Sequence, residues 1–107
     1  MTIEEWNNLD TFFDEIDSEF YFAYSDYKNG SNQKKRAEAE RIIRQVVDRA
    51  DRKVKQHIEI YNQYTGGENA TPYARVCAYE DFKSYSFFRG NISQIRGIIK
   101  DEIKKLS

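Results

Sequence analysis

Proline, cysteine, histidine and tryptophan occur once each in this chain of 107 residues, and glycine only five times. A lone cysteine, Cys77, closes no internal disulfide, so packing alone must hold the fold. The start of the chain lacks a basic stretch, an apolar run and a small-residue cleavage site, so a reducing, cytoplasmic setting is expected. The sequons at Asn69 and Asn91 carry no weight in that setting. One cysteine and one histidine would leave a closed zinc site dependent on carboxylates, so neither a metal nor a cofactor is expected. Charges interrupt every apolar run well short of the roughly 18 residues that a membrane span needs, and no membrane contact is expected. Phosphate-cradling glycine loops, H-E-x-x-H and G-x-S-x-G are all missing, which argues against an enzyme and leaves no catalytic residue to assign. Lysine and arginine are absent from the first 27 residues, where eight acids fall.

What the chain does have is aromatic surface and charge. Seven Phe, eight Tyr and one Trp give it the bulk for a core, although 33% of its residues are charged. The length suits one domain, residues 1–107. Net charge is -1, but it divides unevenly: -8 over residues 1–27, +5 over 28–64 and +2 over 65–107. Adjacent helices of opposite sign in one bundle would show this pattern, and so would an interaction surface.

The apolar spacing is helical throughout. Thr2 with Glu5 forms a capping-box pattern, and Trp6, Leu9, Phe13, Ile16, Phe20, Tyr24 and Tyr27 predict a first helix to about Tyr27. Gly30 suits a left-handed stop, and Ser31 or Asn32 suits the N-cap of a second helix. Ile43, Val47, Ala50, Val54, Ile58 and Tyr61 predict that this second helix is unbroken from Gln33 to Tyr64. Thr71-Pro72 opens a third helix to about Arg89. Gly90 then stops or bends it, and Asn91 with Gln94 caps a fourth carrying Ile92, Ile95, Ile99, Ile103 and Leu106. The expected fold is all-α, an antiparallel three- to four-helix bundle with a long central second helix.

Three surfaces are candidates for function. Tyr73, Val76, Tyr79 and Phe87 lie opposite the inward stripe of the third helix, and a helix apolar on two faces is either central in its own fold or packed against another chain, a homodimer included. Phe22 lies away from the core stripe of the first helix with Glu15, Glu19 and Asp26 on its side, a pattern suited to a basic partner. Lys34, Lys35 and Arg36, with the row Arg96, Lys100 and Lys104, could track phosphates, although the acidic balance disfavours strong nucleic-acid binding. The acid-rich first helix could itself imitate a phosphate row and block a nucleic-acid-binding protein.

Arg52 and His57 have the R-x4-H form and are similar in this to HEPN-type ribonucleases, themselves small helical bundles. A five-residue step points the two about 140° apart on one helix, so a core histidine with Asp81 as polar partner is the expected role of His57. Taken together, the sequence points to a small non-enzymatic module that binds a protein and inhibits or regulates it. Nucleic-acid binding or RNA processing by the basic residues of the second and fourth helices is the alternative.

Overall fold

A computed structural model describes residues 1–64, 71–77 and 85–107. It contains α1 (Ile3–Asn29), α2 (Gln33–Gln56), α3 (Ile58–Gln63), α4 (Pro72–Cys77) and α5 (Tyr85–Leu106), with no strand among the described residues. The chain is an all-α bundle of three long and two short helices. α1 lies between α2 and α5 and packs on both, while the short α3 and α4 close the opposite side, each also touching α2 and α5.

The start of α1 is capped as its sequence prescribes. The Glu5 N–H donates to Thr2 Oγ1 and the Thr2 N–H donates to Glu5 Oε1, both at 3.1 Å. Asn32 caps α2 by accepting from the Lys35 N–H at 2.9 Å. Gly30 between them is not left-handed; its φ is -58°. Glycine is needed there for space, because a Cβ would stand 2.9 Å from Arg36 Cγ and 3.0 Å from the Asp26 carbonyl oxygen.

The core stripe runs Trp6, Leu9, Phe13, Ile16 and Phe20 on α1, Ile43, Val47, Ala50 and Val54 on α2, and Phe88, Ile92, Ile95 and Ile99 on α5, all buried. Ion pairs set α5 antiparallel to α1: Arg96 meets Asp10, and seven residues earlier Arg89 lies beside Asp17.

Two helix boundaries differ from the expectation. The second helix does not continue to Tyr64. It ends at His57, whose backbone (φ -118°, ψ 93°) turns the chain into α3. α1 has almost run out at this level, with His57 lying beside Met1 and Glu5, so a straight continuation would project its apolar residues past the end of the bundle. Turning instead buries Ile60 and Tyr64 and brings Gln63 to Glu102 of α5, 2.9 Å away.

Gly90 does not stop a helix either. α5 passes through it, and Asn91 is no cap but a buried side chain whose Oδ1 accepts from the Tyr64 hydroxyl at 2.8 Å. Phe88, Ile92, Ile95 and Ile99 then form one continuous buried stripe, and the packing of that stripe outweighs the weak helix propensity of one exposed glycine.

A candidate protein-binding face on the first helix

Half of the acids of α1, Asp10, Asp14, Asp17 and Glu19, are answered by basic side chains of α2 and α5. Arg96 donates from Nε and Nη2 to the two carboxylate oxygens of Asp10, at 2.9 and 3.1 Å, and from Nη1 to Asp14 at 3.1 Å. These bonds, that to Asp10 first, hold the Arg96 guanidinium more firmly protonated than usual. Arg49 of α2 donates to Glu19 at 2.8 Å. The Tyr85 hydroxyl donates to Asp17 at 3.5 Å and Arg89 lies 3.9 Å away, yet burial pushes the Asp17 carboxyl above its ordinary range. Half of the block of charge is thus the complement of basic neighbours. Arg96 is clamped between carboxylates and not offered to phosphates, and Glu19 faces α2.

Phe22 keeps its place on the outside. It is 66% exposed, and Tyr21 beside it is 50% exposed, the two rings meeting edge to face at 5.6 Å. At 100° per residue the order of directions is plain: Phe20 points into the core, Tyr21 toward α5, and Phe22 away from the bundle. The exposed pair stands on a rigid base. Tyr21 packs edge-on to Tyr85 at 5.4 Å, and behind it Phe20 stacks on Phe88 at 4.1 Å and on Tyr85 at 5.7 Å. Glu15 and Asp26, seven residues before and four after Phe22, share its side of the helix and are exposed, with no ion-pair partner within 4 Å among the described residues. The arrangement is an aromatic centre with an unpaired acidic rim.

Tyr21 was not among the expected contact residues, although the run Phe20-Tyr21-Phe22 carries the signal. Three consecutive aromatics on a helix with one buried face cannot all point inward.

Of the outer face expected for the third helix, Tyr73, Val76 and Phe87 fall within the described residues. Val76 is 3% exposed and belongs to the core, because α4 lies against α2 with its apolar side rotated about one residue from the expected phase. Tyr73 is exposed on α4, whereas Phe87 belongs to α5 and is half-buried, with the Arg75 guanidinium over its ring at 5.9 Å. Tyr79 and Asp81 lie outside the described residues, so the expected His57–Asp81 pair does too.

His57 itself is half-buried and lines a surface cleft of about 360 Å³ with Glu5, Asn8, Leu9, Phe12 and Lys53, not the core. Arg52 is held by Asp48 at 3.1 Å on the outer side of α2. Lys34 and Lys35 are exposed at the start of α2, and Lys100 and Lys104 are exposed near the end of α5. Among the described residues no group of three or more metal-ligating side chains gathers, and no helix is long and apolar enough to cross a membrane.

No protein-family model, curated protein or solved structure matches this chain.

Proposed function

We propose that this chain is a small non-enzymatic module that binds a partner protein and inhibits or regulates it, using the α1 face centred on Phe22. One observation carries the proposal: a phenylalanine 66% exposed on α1, edge to face with a half-exposed Tyr21 that itself packs on Tyr85, and rimmed by carboxylates that nothing in the described structure neutralises. An exposed aromatic of this kind supplies the buried centre of a protein contact. The unpaired Glu15 and Asp26 favour a partner with basic residues around an apolar pocket, the acids steering encounter and Phe22 holding the complex.

The test places a photo-crosslinking amino acid at position 22, and as control at Gln45, which is exposed on α2, in cells that make the chain naturally. An adduct to one protein is expected at 22 and not at 45. With that protein in hand, Phe22→Ala should accelerate dissociation, while Glu15→Lys with Asp26→Lys should slow association and flatten its salt dependence. Equal labelling at both positions, or variants that bind like the wild type, would refute the assignment.

A further inference from the structure

Beside Phe22, but turned from it, α1 and α5 form a cleft that the protein-binding face does not use. Tyr21, Tyr24, Ser25 and Lys28 fall on the side of α1 that meets α5, whereas Phe22 points away from the bundle. With Asn29 and with Tyr85 of α5 they enclose about 260 Å³ at the C-terminal end of α1.

The rings of this cleft are held by the core. Phe20 stacks on Tyr85 at 5.7 Å and on Tyr24 at 6.1 Å, and the half-exposed Tyr21 packs edge-on to Tyr85 at 5.4 Å. No carboxylate lines it. Cations stand over its rings instead: Lys28 Nζ is 5.7 Å from the centroid of Tyr24, and the Arg89 guanidinium is 5.7 Å from that of Tyr85.

Positive charge continues round the turn into α2. Lys34 and Lys35 are exposed in the first turn of α2, which holds no acid, and the positive end of the helix dipole disfavours cations there unless an anion answers them. Lys35 lines a second cleft of about 410 Å³ with Asp26 and Glu38. Asn29 lines both clefts, so they adjoin across the end of α1. Glu38 is paired with Arg41, which leaves Asp26 as the one unpaired acid beside three exposed lysines, Lys28, Lys34 and Lys35, that have no ion-pair partner within 4 Å among the described residues.

An aromatic cleft continued by unpaired cations matches the two repeating parts of single-stranded nucleic acid, a base with open π-faces and a phosphate. The cleft is smaller than the roughly 300 to 1,000 Å³ of sites that enclose a whole small molecule, and so suits one base of a chain that runs on beyond it. Its tyrosines line a recess and do not project, which is the wrong shape for insertion into a bilayer. We infer that the α1–α2 hairpin end binds single-stranded nucleic acid, one base stacking among Tyr21, Tyr24 and Tyr85 and the neighbouring phosphates meeting Lys28, Lys34 and Lys35. This site goes beyond the Phe22 reading, and neither depends on the other.

Fluorescence anisotropy with a labelled oligo(dT) of about 12 nucleotides tests it. The wild type should bind the strand in about 50 mM salt and weaken about twentyfold by about 200 mM, as three phosphate contacts to a single strand require. Tyr21→Ala should weaken binding about tenfold. Tyr21→Leu, which keeps apolar packing on Tyr85, should share that loss, and Tyr21→Phe should bind like the wild type. Lys28→Gln with Lys35→Gln should cut the salt effect to about threefold. Phe22→Ala should change nothing.

No binding at the lower salt overturns the inference, as does equal affinity of the wild type and Tyr21→Leu. A duplex of the same length or polyglutamate binding as tightly would reduce the site to bare charge and overturn it too. Displacement of the strand by an equal concentration of a free nucleoside monophosphate would make the ligand a single nucleotide and refute the strand. A loss with Phe22→Ala as large as with Tyr21→Ala would put the strand on the outer face and not in the cleft.

Discussion

Replacing Tyr64 with phenylalanine removes a single oxygen, yet the bundle should register it strongly. Tyr64 is 4% exposed and its hydroxyl is the one described partner of Asn91, which is 3% exposed and whose Nδ2 already lacks a hydrogen bond. The substitution forfeits a hydrogen bond and leaves Asn91 Oδ1 buried with no donor, together a loss of about 2 kcal/mol. In a domain of this size that lowers the melting temperature by roughly 10 °C, measurable by circular dichroism.

The double variant Tyr64→Phe with Asn91→Leu should recover most of the loss, because it removes the stranded amide together with its partner. Alkaline pH gives an independent readout. Burial pushes the Tyr64 hydroxyl up to about 12 from an ordinary 10. Since the folded value lies above the unfolded one, the stabilisation is whole below pH 10 and is lost as pH rises toward 12, at most about 3 kcal/mol for this shift. Tyr64→Phe should remove that part of the alkaline decline. If the single variant melts like the wild type, or the double is no better than the single, Asn91 is not the buried partner of Tyr64.

Two further perturbations test the architecture. Gly90→Ala in dilute solution should stabilise the monomer by about 0.5 to 1 kcal/mol in urea unfolding, as expected for mid-helix with open space at Cβ; destabilisation would place Gly90 at a helix stop instead. Arg96→Met keeps the stem but leaves Asp10 and Asp14 facing each other unneutralised, and should destabilise by about 1 to 2 kcal/mol at low salt and less at high salt. No salt-dependent difference from the wild type would show that the clamp does not hold α5 on α1.

The helical periodicity made the fold class and the α1 core stripe legible, because one face of a long helix must bury Trp6, Leu9, Phe13, Ile16 and Phe20 together. The break at His57 was not legible: no glycine or proline marks it, and its cause is the end of the neighbouring helix, a tertiary fact. Gly90 misled in the opposite sense, since a residue with weak helix propensity was carried through by the buried Phe88 and Ile92 on either side. At the candidate site Phe22, Glu15 and Asp26 could be placed together from angular position alone. Glu19 could not be separated from them, because its pairing with Arg49 depends on where α2 lies. Val76 was lost from the outer face for a similar reason. The phase of a six-residue helix is set by what it packs on, and α4 packs on α2.

The central claim, that the Phe22 face is covered by protein when the chain works, is tested most directly by hydroxyl-radical footprinting in cells and on the dilute purified chain. Tyr21 and Phe22 are 50% and 66% exposed in the isolated chain, and Ile58, 59% exposed at the far end of the bundle, serves as an internal reference. Oxidation of Tyr21 and Phe22 relative to Ile58 should fall several-fold in cells. The same ratio in cells and in dilute solution would contradict it.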